Sequence, residues 1–185
     1  SKMKKVMMFL AAAMMIVVAH AQKPSQLPVP DLPIDERTNL VTYQDVVKQE
    51  GTPKVLYDRA MEWVKKYYKN TNEVIKKADA EKCVIEMRSS VRIYSKQKDG
   101  TELHKNIVYY NFKLECRDNR YRYTITNFNE RAASAAPIEN WFKTESPYWS
   151  PSQYEWLTQI DGQVKELINS LEEGMLPPEV FEDEW

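Results

Sequence analysis

The chain has 185 residues, 26 basic and 27 acidic side chains, a formal charge of −1, two cysteines, two histidines and four glycines. A slightly acidic balance lacks the basic footprint usual in nucleic-acid-binding domains, and so few glycines leave no phosphate-cradling loop. The length suits one domain with a single core, and there is no internal repeat or low-complexity tract.

Lys2, Lys4 and Lys5 precede an apolar run from Val6 to Val18 and then Ala19-His20-Ala21. This is the layout of a secretory signal peptide over residues 1–21, with cleavage expected after Ala21. The alternative is an uncleaved membrane anchor, but the run falls short of the about 20 apolar residues of an ordinary membrane span. Its removal takes away three lysines and no acids, moving the formal charge from −1 to −4. The mature chain is expected to be exported, periplasmic or secreted, without a transmembrane segment.

Residues 22–39 are proline-bearing and read as an extended leader. Leu40 to Lys48 alternates and predicts a first strand. Thr52 and Pro53 then suit a helix cap and first turn. Leu56, Ala60, Trp63, Val64 and Tyr67 recur at helical spacing and give that helix one buried stripe. Val74 to Ala78 predicts a short strand.

From Lys82 to Glu130 the pattern becomes three long strands. Asp99-Gly100 and Asp118-Asn119 tolerate the positive φ of tight hairpin turns, and each is flanked by period-2 alternation. Two-residue loops at these pairs set Ile85 against Leu114, Met87 against Phe112 and Val91 against Val108, with Glu86 opposite Lys113. The second hairpin likewise pairs Leu114 with Tyr123, Phe112 with Ile125 and Glu115 with Arg122. A one-residue slip would turn each apolar set to the wrong face.

The same register brings Cys83 opposite Cys116. In an oxidising compartment this predicts a cross-strand disulfide worth roughly 3–4 kcal/mol. The alternative is two buried thiols acting as small hydrophobes.

Residues 131–150 form a long connection carrying Trp141, Phe142, Tyr148 and Trp149. Such a loop either folds its aromatics onto the domain or presents them to a ligand. A second helix follows from about Gln153, with Leu157, Ile160, Val164, Leu167, Ile168 and Leu171 on one face and Gly174 as its C-terminal cap. Residues 175–185 read as an acidic tail carrying Phe181 and Trp185.

Three segments carry a family resemblance: Leu32-Pro33-Ile34-Asp35-Glu36, Leu40-Val41-Thr42-Tyr43, and Leu56-Tyr57-Asp58-Arg59-Ala60-Met61-Glu62-Trp63. Over roughly residues 31 to 130 the chain resembles a bacterial envelope family known as a domain of unknown function with a TATA-binding-protein-like fold. That resemblance implies a curved antiparallel sheet with helices on one face and an exported location. It implies no catalytic residue, and a fold label alone does not imply DNA binding. The expected architecture is α+β over residues 40–174: a five-stranded antiparallel sheet in the order β-α-β-β-β-β-α, with two helices packed on one face.

His104, near a hairpin tip, is the one histidine left after cleavage, and no motif ties a nucleophile to it. No Cys/His spacing suits zinc and no acidic loop resembles an EF-hand, so neither metal nor cofactor is expected. The expected function is a non-catalytic binding or interaction domain, taking a protein partner or an apolar ligand and not nucleic acid. Two surfaces stand out. One is the outer face of the meander, where the register projects Tyr94, Ile107, Tyr109 and Phe128 among Arg88, Arg92, Lys105, Lys113 and Arg122. The other is the Trp141, Phe142, Tyr148 and Trp149 loop. A variant holds an apolar ligand between helices and sheet. The alternative class is a cell-envelope hydrolase with an acid/base pair distant in sequence.

Overall fold

A computed structural model describes residues 27–179. The signal peptide, its cleavage site, and Phe181 and Trp185 lie outside the described residues. The sheet has six antiparallel strands, not five, in the order β1-β2-β6-β5-β4-β3. They are β1 (Ile34–Asp35), β2 (Leu40–Lys48), β3 (Ile75–Asp79), β4 (Val84–Lys96), β5 (Glu102–Arg117) and β6 (Arg120–Glu130). The extra strand comes from the expected leader. Asp35 accepts the N–H groups of Arg37 and Thr38, which folds the chain back so that Ile34 pairs with Val41. Two residues are too few to show alternation.

Three α-helices join them: α1 (Pro53–Tyr67), the one-turn α2 (Thr71–Val74) and α3 (Ser152–Gly174). Thr52 caps α1 by accepting the Val55 N–H at 3.3 Å, with Pro53 in the first turn. Helix α1 lies over β5 and β6, and α3 over β4, on one face of the sheet. Between them Leu56, Ala60, Val64, Ile85, Phe112, Leu114, Ile125, Leu157 and Ile160 are buried. These side chains form the core between the helices and the sheet.

The meander register is the one expected from the turns. Ile85 faces Leu114, Phe112 faces Met87 and Ile125, and Glu115 faces Arg122. At the first hairpin it arises by compensation. The loop spans three residues, Lys98–Gly100, closed by the Gln97 N–H on Thr101 O and by Gly100 at φ 86°. Such a turn shifts the register by one, so Tyr94 faces His104. An unpaired Lys105 then restores it, so Ile93 faces Asn106.

A second bulge changes the reading of β6. Asn111 faces Thr126 but Tyr109 faces Asn129, so Asn127 and Phe128 together oppose Tyr110. Asn127 takes φ 60°, a conformation asparagine tolerates better than most residues. The bulge turns Phe128 from the outer face into the core, where it is fully buried against Tyr43 and Tyr110.

Cys83 and Cys116 meet as the register requires, the Cys116 N–H donating to the Cys83 carbonyl at 2.9 Å, but they are free thiols and the expected disulfide is not formed. At Cys83 the backbone leaves the extended conformation (φ 54°), and its thiol donates to the Ala80 carbonyl. Gly174 also differs from expectation. It is the last residue of α3, with a right-handed Met175 after it, and serves a close approach to Trp63.

Candidate binding surfaces

Pairing places outward-facing side chains in rows across the strands. One row runs Lys77, Glu86, Lys113, Thr124 and Gln44 from β3 to β2. The next toward the β4–β5 tip is Arg88, Asn111, Thr126 and Thr42, followed by Ser90, Tyr109 and Asn129, then Arg92 and Ile107. On the other side lie Val84, Glu115, Arg122 and Val46, then Arg117, Arg120 and Lys48. No helix among the described residues lies on this face.

Its charge is one-sided. Lys48, Lys77, Arg88, Arg92, Lys113, Arg117, Arg120 and Arg122 are set against Asp79, Glu86 and Glu115. Glu115 is the most committed acid: Arg122 donates to it at 2.8 Å and Lys113 stands at 3.3 Å. Partial burial pushes its carboxyl up, but hydrogen bonds from Arg122 and Lys113 outweigh that and hold it below the usual range. Its charge is therefore fixed at neutral pH, and the surrounding cations keep an excess. A depression of about 450 Å³ opens between Lys76, Glu86, Arg88, Asn111, Lys113 and Thr124, so three cations and one carboxylate line it.

Of the aromatic residues expected on this face, Tyr109 is there, half-buried, with the Arg88 guanidinium 5.2 Å from its ring centre. Tyr94 is there too, edge-on to His104. Phe128 is not, for the reason given above. Lys105 has also left: as the bulged residue it reaches across to the ring of Trp156 on α3. The surface is thus polar and cationic, with few exposed rings.

The 131–150 connection does not cover it. The chain doubles back so that Pro137 bridges Asn129, and a 3₁₀ turn (Ile138–Phe142) packs against β2, β6 and α3. Ile138 and Trp141 are buried, Phe142 is half-buried against the core, and Glu139 accepts the Val41 N–H at 2.8 Å. Trp149 donates its indole N–H to the Trp141 carbonyl and sets its ring edge-on to Tyr154. Trp141, Phe142 and Trp149 therefore serve packing. Only Tyr148, at 89% exposure, projects into solvent.

Among the described residues, His104 and the two cysteines are not brought together. His104 sits exposed on the hairpin arm, away from both cysteines. Burial, then proximity to Cys83, pushes the Cys116 thiol up to about 12, so it is a poor nucleophile at neutral pH. Among the described residues no three His, Cys, Asp or Glu side chains are grouped to hold a metal, and no helix is long and apolar enough to cross a membrane.

Residues 43–131 match the family model described as a domain of unknown function (DUF4468) with TBP-like fold. A TBP-like protein from Parabacteroides distasonis ATCC 8503 shares the fold at 17% identity and TM-score 0.60, over 77% of this chain and 96% of that one. A DUF4468 family protein from Bacteroides ovatus ATCC 8483 does so at 15% identity and TM-score 0.61, over 81% and 93%. At these identities the likeness concerns fold alone. No curated protein matches.

Proposed function

We propose that this DUF4468 domain, with its TBP-like fold at residues 43–131, is a non-catalytic binding module of an exported protein. Its uncovered sheet face takes an acidic, extended segment of a partner protein. The observation that carries this reading is the excess of cations on one face of a chain whose formal charge is −1. A concentrated field of one sign attracts and orients an opposite partner. Arginine dominates that face, and its planar fork suits carboxylates. Threonine, asparagine and glutamine between the arginines offer hydrogen bonds to a backbone laid across the strands. Base stacking, which single-stranded nucleic acid would use, finds only Tyr94 and Tyr109.

The test is binding of fluorescein-labelled poly-L-glutamate across a salt series. Wild-type protein is expected to bind at low ionic strength and weaken steeply as salt rises. Arg88→Glu with Arg92→Glu should weaken binding at least about tenfold, or 1.4 kcal/mol, with little change in melting temperature, because both side chains are exposed and neither takes part in an ion pair among the described residues. Equal binding by that variant would overturn the reading. So would tighter binding of a single-stranded DNA of matched charge.

A further inference from the structure

The geometry points to a second site, for a saccharide, in a groove of about 370 Å³ between the end of β6, the 131–150 connection and the start of α3. It does not depend on the outer-face reading and shares no residue with the rows described there. The first observation is Tyr148, which packs on nothing while the other aromatic residues of its loop are bound into the domain. Its backbone is nonetheless fixed locally, because Ser146 Oγ accepts its N–H at 3.3 Å and the Ser146 carbonyl accepts that of Trp149 at 3.0 Å. An exposed ring that lines the groove offers a flat apolar platform.

The second observation is the polar chemistry of the groove. Lys143 donates to Asn140 Oδ1 at 2.8 Å, which leaves the Asn140 NH₂ and the remaining Lys143 protons as donors. Gln153 Oε1 accepts the Ser150 N–H at 3.3 Å, which orients its NH₂ as a further donor. Glu130 bonds Asn106 through Oε1, and its second oxygen remains an acceptor. Donors and an acceptor thus stand around an aromatic platform. Sugar hydroxyls each donate and accept, and the axial C–H face of a pyranose lies flat on a ring. An apolar ligand would leave these polar groups unpaired at a cost, and a polyanion would meet Glu130.

The experiment is an NMR titration of the full chain with maltotriose, cellotriose and chitotriose, following the indole N–H of Trp149. At least one sugar should shift that signal saturably in the millimolar range or below. Tyr148→Ala should weaken binding about three- to tenfold, or about 0.7–1.4 kcal/mol. Tyr148→Phe should retain it, and Asn140→Ala should weaken it. Tyr148 is exposed, so its variants should fold. The Arg88→Glu, Arg92→Glu variant should bind the sugar as wild type does, whatever it does to poly-L-glutamate. Absence of a saturable shift with all three sugars would overturn the proposal, as would unchanged affinity in Tyr148→Ala.

Discussion

Phe128→Ala is expected to lower stability to urea unfolding by about 3–5 kcal/mol, the range for emptying a large aromatic site in a core. The basis is the bulge at Asn127. Strict alternation from Ile125 would put Phe128 outside, where its loss would cost little. One extra residue reverses its direction, and the ring lies fully buried 6.0 Å from Tyr43 and 5.9 Å from Tyr110. The neighbours belong to a sheet held by backbone ladders on both sides, so they can close the vacancy only in part. Tyr109→Ala serves as the contrast: its ring is half-buried under Arg88, and its loss should cost about 1 kcal/mol or less. If Phe128→Ala unfolds at the same urea concentration as wild type, the bulge is misplaced.

Gly174→Ala is expected to destabilise by about 1–3 kcal/mol, the usual cost of overpacking, although alanine in a helix ordinarily gains about 1 kcal/mol over glycine. The two effects oppose each other, and the packing decides. A Cβ at 174 would stand 2.5 Å from Trp63 Cδ1 and 2.9 Å from Cγ. Trp63 has little freedom to yield. Its indole N–H donates to Ser170 Oγ at 3.0 Å, and its ring stacks on Tyr67 and meets Phe112 and Tyr68 edge-on. This contact fixes the end of α3 against α1, so a shift there would spread through both helices. A rise in melting temperature would show that Trp63 can rock aside.

The meander could be read in advance because its turns and apolar alternation point to one register. The three-residue turn at Lys98–Gly100 shifts that register by one, and the bulge at Lys105 cancels the shift. Nothing local in the sequence announces such a pair of offsets. The Asn127 bulge did leave a signal: Tyr121, Tyr123 and Ile125 keep period 2, and the next apolar residue is Phe128, one position late, behind an asparagine. The sixth strand left almost none, since Ile34–Asp35 is too short for a pattern.

For the outer face, net charge was the wrong measure. A sum over the chain hides cations that strand pairing gathers on one side while α3 carries Glu155, Asp161, Glu166, Glu172 and Glu173. Arg88, Arg92, Lys113 and Arg122 were legible from the register, whereas Arg117 and Arg120 joined them at the second hairpin. The aromatic loop divided as its burial dictated: Trp141, Phe142 and Trp149 became packing, and Tyr148 remained outside.

The most direct measurement on the uncovered sheet face is a residue-resolved NMR footprint of poly-L-glutamate on wild-type protein. Amide shifts should concentrate at Arg88, Asn111, Lys113, Arg122, Thr124 and Thr126, and fade as salt is raised. Shifts confined to the helices, or an unperturbed spectrum at low salt, would contradict the assignment of that face as the binding surface.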